Sequence, residues 1–328
     1  MRQAGAKRGL ADASLGGEQV EGLRSVAELL AAGTRPVREV WIATGPADAG
    51  DTRRGLDRRA PTRGGPSRQA PPRRELAEIE QLAQARDVRL RRVAPARLGE
   101  QARTMAPQGV IAFAAPLVAV ALSDLCSRTA APAPGAGGAT SPRGSRRAAQ
   151  GSGAPVQPFL LVVDGVTDPG NLGALLRSAA ATGVTGIVLA RHRAVRVTPA
   201  VTKAAAGSIE HLRFALVGGV PAALAELGRR GLWSVGLDPQ APASLFSASL
   251  GFDPVGPIAL VLGAEGRGLS RLARERCDAL VAIPQLADVA SLNVSVAGAL
   301  ACFEVMRRRG TDPSAAAPEP TVGLEPTT

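Results

Sequence analysis

Six short apolar runs between residues 159 and 284 constrain this chain more than any other feature of it. They are FLLVVDGV (159–166), GIVLA (186–190), residues 212–217, LWSVGL (232–237), IALVLG (258–263) and LVAIP (280–284). Each is the length of a strand, and most are apolar at nearly every position rather than at every second one. A strand of that kind is buried on both faces, which is the condition of a parallel sheet. The intervening segments 171–182, 199–206, 221–230, 269–275 and 292–309 have helical composition and length. Strand alternating with helix predicts an α/β fold: a mostly parallel sheet with helices on both faces.

The first third of the chain reads differently. Val26, Leu29 and Leu30 share one helical face and Gly33 follows as a stop. Val37, Val40 and Ile42 form an apolar strand, residues 75–86 resume a helix, and short strands follow near 88–93 and 109–114. These elements predict a small α/β domain over residues 18–126, interrupted by an insertion at about 47–73. Residues 1–17 and 311–328 read as disordered tails, and 127–157 as a flexible basic linker to a second domain at 158–310.

Charge enters the argument through its placement. Of the formal net charge of +11, residues 51–74 carry +6 (eight Arg against Asp51 and Asp57) and residues 127–157 carry +4. Both segments are rich in Pro, Gly, Ala and Ser, too poor in apolar surface to fold. Two explanations stand open: basic arms that attract phosphate backbones, or arginine-rich compositional drift, since only Lys7 and Lys203 are lysines. The three cysteines, Cys126, Cys277 and Cys302, form no CxxC pair, so neither a zinc ribbon nor a disulfide framework is expected, and no metal site. The amino-terminal residues lack an apolar signal core, and no uncharged run is long enough to span a bilayer. A cytoplasmic protein without membrane contact is the expectation.

Three segments carry chemistry. Asp168-Pro169-Gly170-Asn171-Leu172-Gly173, with Arg177 six residues after Asn171, makes a turn after a buried strand and opens a helix. Leu262-Gly263-Ala264-Glu265-Gly266-Arg267-Gly268 places three glycines and a carboxylate after another strand. Its G-x-x-G-x-G spacing is not the dinucleotide fingerprint, which disfavours a nicotinamide-dependent enzyme. Ile283-Pro284 leads by a short loop to Ser291-Leu292-Asn293, where capping residues precede a long helix. Taken singly, each also reads as an ordinary turn or helix cap. In open α/β sheets, however, ligands bind where strands end and such turns begin.

Together, DPGNLGALLRSA, LVLGAEGRGLS and IPQLADVASLNVSVAGAL resemble, in order and spacing, the motifs of the SpoU family of SPOUT RNA methyltransferases over about residues 158–309. VEGLRSVAELLAAG and TMAPQGVIA resemble the substrate-binding domain of the branch that methylates guanosine in bacterial 23S ribosomal RNA. The resemblance implies a trefoil-knotted sheet, S-adenosyl-L-methionine as cofactor, RNA as partner, and a homodimer whose active site draws on both subunits. It implies that Gly263, Ile283 and Leu292 line the cofactor site through their backbone. Asn171, Arg177, Glu265, Ser291 and Asn293 would form the catalytic constellation. Two departures stand out: Ala287 where the family usually has glycine, with Gln285-Leu286 before it, and Pro107 where the family often has histidine. The implied activity is methylation of a ribose 2′-hydroxyl, in 23S ribosomal RNA. The alternatives are a transfer RNA 2′-O-methyltransferase and a non-catalytic RNA-binding protein of the same fold.

Overall fold

The computed structural model describes residues 14–44, 73–127, 156–191, 196–286 and 291–310. The chain enters through β1 (Ser14–Gly16) and β2 (Gln19–Glu21), then α1 (Leu23–Ala32) and β3 (Val37–Ala43). After the expected insertion, which but for Thr44 before it and Arg73 at its end lies outside the described residues, come α2 (Arg73–Ala85), β4 (Arg89–Val93), α3 (Pro95–Gln101) and β5 (Val110–Ala114). β6 (Leu117–Val118) and α4 (Leu122–Leu125) close this half.

Four of these strands form a sheet in the order β2-β5-β3-β4, with β3 and β4 parallel and the other pairs antiparallel. The alternating residues Val40 and Ile42 of β3 face α1 and α2, against Leu29, Leu30, Ile79 and Ala83, all fully buried or nearly so. α1 ends where the sequence places its stop: Gly33 takes φ 58°, and its N–H returns to Leu29 O at 3.2 Å. The opposite face carries Trp41, Ile111 and Phe113 beneath Leu98 of α3.

Beyond the second gap the chain forms β7 (Phe159–Asp164), α5 (Pro169–Ala181), β8 (Gly186–Ala190) and α6 (Pro199–Ala204). A 3₁₀ turn (Ser208–His211) leads to β9 (Phe214–Val217), α7 (Val220–Arg229), β10 (Trp233–Leu237) and β11 (Ile258–Gly263). α8 (Arg271–Arg276), β12 (Ala279–Val281) and α9 (Val294–Arg308) complete it. All six strands pair in parallel, in the order β12-β10-β11-β7-β8-β9. Phe159 to Val163 are each 0% exposed, as continuous apolar runs require. Phe159, Leu161 and Val163 pack with α5, α6 and α9, whereas Leu160 and Val162 pack with α4 and α7 on the other face.

Three sequence expectations need correction. Ser14–Gly16 is not tail: Leu15 is buried in the main core, and β1 pairs with β6 while Gly16 bridges Val197. Residues 117–126 pack with the six-stranded sheet rather than with the first domain, through Leu122, Leu125 and a bridge from Val120 to Ala215. Strands of two or three residues, β1 and β6, carry too little periodicity to be read, and which sheet a short segment such as Leu122–Leu125 packs against is decided only by tertiary contacts. The helix expected from Asn171 begins at Pro169, because Asp168 caps it by accepting the Asn171 N–H at 2.7 Å. The expected linker lies, but for its ends, outside the described residues.

The two sheets meet at a buried ion pair. Arg35, just beyond α1, donates from Nε and Nη2 to both oxygens of Glu210, at 2.9 and 2.6 Å. Its Nη1 donates to Gly17 O and Ala115 O at 2.7 and 2.5 Å. Arg35 and Glu210 are 8% and 4% exposed, so every charge in the junction is answered by a partner rather than by water. Beside it, Ser25 Oγ donates to Thr202 O at 3.1 Å.

Candidate active site

The site forms at the carboxyl ends of β7, β10 and β11. β11 ends at Gly263, and the chain then folds back on itself. Ala264 and Gly268 exchange N–H···O bonds of 2.9 Å in both directions, with Gly266 and Gly268 at φ 71° and 64°. A Cβ on Gly263 would stand 2.0 Å from the carbonyl carbon of Gly268. Glycine is therefore required there by the close approach of the loop's own backbone. The loop is tied to the neighbouring strand by Asp164, whose Oδ2 accepts the Ser270 N–H at 3.0 Å.

Three of the expected residues are brought together from three separate segments. Asn293 caps α9: its Oδ1 accepts from Ser295 N at 2.8 Å and Ser295 Oγ at 2.6 Å. With its oxygen engaged by the helix, Asn293 presents Nδ2 to Asn171 Oδ1 at 2.9 Å. That in turn leaves Asn171 Nδ2 to donate to Glu265 Oε1. The helix terminus thus sets the direction of a hydrogen-bonded chain that ends on a carboxylate. Close packing makes it reachable: a Cβ on Gly298 would lie 2.3 Å from Leu175 Cδ1 and 2.7 Å from Leu262 Cδ1, so α9 lies tight against α5 and β11.

Beside this chain is a cavity of about 570 Å³, lined among others by Gly263, Glu265, Ile283, Gln285, Ser291 and Leu292. All three expected cofactor-site residues and Ser291 therefore face one space. The sequence marked Gln285 only as part of a departure from the family's loop, not as a residue of the site. Its Oε1 is buried with no hydrogen-bond partner, an acceptor that a bound donor would satisfy. Asp238 and Arg274 also line the cavity and pair at 2.5 Å. Ala287 lies outside the described residues.

Arg177 stands apart. It is exposed on α5, does not line the cavity, and makes no hydrogen bond or ion pair to the cluster among the described residues. Six residues of helix turn it about 240° from Asn171, so the two cannot share a face of α5. Cys277, near β10, offers no alternative nucleophile: burial, with Asp278 and Asp164 nearby, pushes its thiol up to about 12. Among the described residues no group of His, Cys, Asp and Glu could hold a metal ion.

A sequence model described as the SpoU rRNA Methylase family matches residues 158–303. The chain is 46% identical over 157 residues to the 23S rRNA (guanosine-2′-O-)-methyltransferase RlmB of Ralstonia nicotianae, covering 48% of this chain and 61% of that protein. Over 234 residues it is 38% identical to the Xanthomonas campestris protein of the same name, covering 71% of this chain and 84% of the other. The match thus spans about 60% of the length of the first of these relatives and most of the second. The fold is shared with the SpoU methyltransferase AviRb from Streptomyces viridochromogenes in complex with AdoMet, at a TM-score of 0.61 and 22% identity, covering 89% of this chain and 90% of that one.

Proposed function

This chain belongs to the SpoU rRNA methylase family, and from that premise we propose that it methylates a ribose 2′-hydroxyl of RNA, with guanosine in 23S ribosomal RNA as the substrate and S-adenosyl-L-methionine as the donor. The observation that carries the proposal is the hydrogen-bonded run Asn293–Asn171–Glu265 at the rim of the 570 Å³ cavity. The cavity suits such a cofactor. Leu262, Ile283 and Leu292 offer apolar walls for a purine, and the orphaned Gln285 Oε1 offers an acceptor for an amino or hydroxyl donor.

When bound, the cofactor supplies an electrophilic methyl group on a sulfonium. The chain's own residues then position the ribose. Glu265 accepts the hydrogen bond of the 2′-hydroxyl and takes its proton as that oxygen is methylated, and Asn171, held in turn by Asn293, keeps the carboxylate in place. Ser291, on the cavity wall, orients the ribose. Arg177 binds a phosphate and polarises the 2′-oxygen; a guanidinium stays protonated in proteins and is a poor base. Because Arg177 does not line the cavity of its own chain, it serves the site of a second copy.

That requirement favours a homodimer, and so does α9. Val296, Leu300 and Phe303 are 48%, 39% and 46% exposed and fall at i, i+4 and i+7, one apolar stripe left uncovered among the described residues. The trefoil knot belongs to the same proposal. It is supported by the path of the chain, which leaves β12 at the sheet's edge and returns to lay α9 against α5 and β11. The cell compartment proposed is the cytoplasm, where ribosomal RNA is made; no described helix is long and apolar enough to cross a membrane.

The test is methyl transfer from labelled cofactor to protein-free 23S ribosomal RNA and to transfer RNA, side by side. Label in the ribosomal RNA is expected. Label confined to transfer RNA would move the substrate, and cofactor binding with no transfer to either would favour an RNA-binding role.

A further inference from the structure

The face of the first sheet that lies beneath α3 carries an arrangement that the cavity does not use. Trp41 of β3 is 9% exposed and meets Phe113 edge-on, ring centroids 5.3 Å apart at 68°. Two guanidiniums lie against its indole, Arg91 of β4 and Arg97 of α3, each with Cζ 5.4 Å from the ring centroid. Only one carboxylate answers them: Glu39 stands 3.6 Å from Arg91, and Arg97 makes no ion pair among the described residues. Exposed Arg89 lies two residues before Arg91 on β4 and so on the same face of the sheet, and exposed Arg103 follows two residues after the end of α3, whose last turn carries Glu100.

We infer that this surface, centred on Arg91 and Arg97 over Trp41, binds the phosphate backbone of RNA. The inference rests on the reading that RNA is the substrate and names where the first domain grips it. A guanidinium stacked on a ring keeps its in-plane N–H groups free for phosphate oxygens. Its rotamer is already fixed, so less entropy is lost on binding. Two like charges sharing one ring repel each other, and an anion between them relieves that repulsion. With most of the ring area buried, Trp41 acts as the platform for the arginines and not as a stacking partner for a base.

The surface is also rigidly tied to the active site. The loop after α3 hangs on Glu21, 0% exposed, whose carboxylate accepts Arg103 N at 2.7 Å and Thr104 N at 3.0 Å. Further along, Gln108 Oε1 accepts Leu23 N at 3.1 Å, and Lys203 of α6 donates to Ala106 O. α6 in turn packs against α5 so closely that a Cβ on Gly173 would lie 2.4 Å from Ala204 Cβ. Gly173 is two residues from Asn171. A strand held at Arg97 and Arg103 is therefore held in fixed relation to the catalytic cluster.

The test is Arg91→Ala/Arg97→Ala in the full chain, with protein-free 23S ribosomal RNA as ligand and filter binding over a range of salt. Two lost phosphate contacts should lower the log–log salt slope by roughly 1.4–1.8. KM for RNA should rise at least tenfold with kcat within about twofold and cofactor affinity unchanged. Arg91→Lys/Arg97→Lys should keep the slope. If the alanine pair unfolds, Arg89→Ala/Arg103→Ala on exposed side chains should still reduce the slope. Native slope and affinity in a folded alanine variant, or in the rim variant, would overturn the inference. Should the wild type bind RNA through this surface yet transfer no methyl group, the surface stands and the proposed reaction falls.

Discussion

At the scale of single residues, the site is a matter of which oxygen is already taken. Asn293 spends its oxygen on the α9 terminus, and that choice propagates through Asn171 to Glu265. Replacing Asn171 by Ala removes the middle link. Turnover should fall about 10²-fold, the typical cost of misplacing a reacting group, with cofactor affinity within a few fold; single-turnover kinetics and calorimetry measure the two. Gly263→Ala should behave differently. The new Cβ meets Gly268 at 2.0 Å, so the loop must shift, and cofactor affinity and melting temperature should drop together. An unchanged Kd with a native melting temperature would refute that geometry. Asp168 was missed in the sequence, where the helix was expected to begin at Asn171, and Arg177 was grouped with Asn171 although six residues of helix turn the two about 240° apart. Gln285 was not readable, because an orphaned acceptor exists only relative to the tertiary walls around it.

Among the secondary elements, legibility followed length and burial. The strands β7, β8 and β11 of the larger sheet were plain because they are buried at nearly every position and so leave unbroken apolar runs, and β9, β10 and β12, only partly buried, were legible from their apolar composition. β1, β2 and β6, of two or three residues, leave none, and their pairings became visible only in three dimensions. α9 shows how one helix serves several ends. Its first residue is capped by Asn293, its middle carries the exposed stripe, and near its end Glu304 binds Arg307 and Arg308. Hydrogen bonding from Arg307, then from Arg308, holds the Glu304 carboxyl below the usual carboxylate range. A depressed carboxylate contributes stability that is full above its unfolded pKa and lost as pH falls through the folded value. Acid unfolding followed below about pH 4.5 should therefore be blunted in Glu304→Gln, which has no such charge to lose. For the stripe, Phe303→Asp should convert a dimer to a monomer in light scattering at micromolar concentration; a wild type already monomeric there would remove the proposed interface.

For the whole molecule, the question is how two sheets become one instrument. Composition suggested domains joined by a flexible linker, with +10 of the charge in two arms that lie, but for their ends, outside the described residues. Arg35 and Glu210 lock the sheets at a buried, fully hydrogen-bonded pair, and removing one partner of such a pair costs about 3–5 kcal/mol. Arg35→Ala should lower the melting temperature accordingly and raise KM for RNA more than it changes cofactor affinity, since the cavity lies wholly in the larger sheet. The ion pair could not be foreseen from sequence, because its members are remote along the chain and neither sits in a motif. The proposed reaction is methyl transfer to a ribose oxygen. It is tested most directly by complete nuclease digestion of 23S ribosomal RNA after incubation with the protein and labelled cofactor, followed by mass spectrometry of the nucleosides. Label is expected in 2′-O-methylguanosine, and none when Asn171→Ala replaces the wild type. Label on a base, or none in a protein that binds the cofactor, would contradict it.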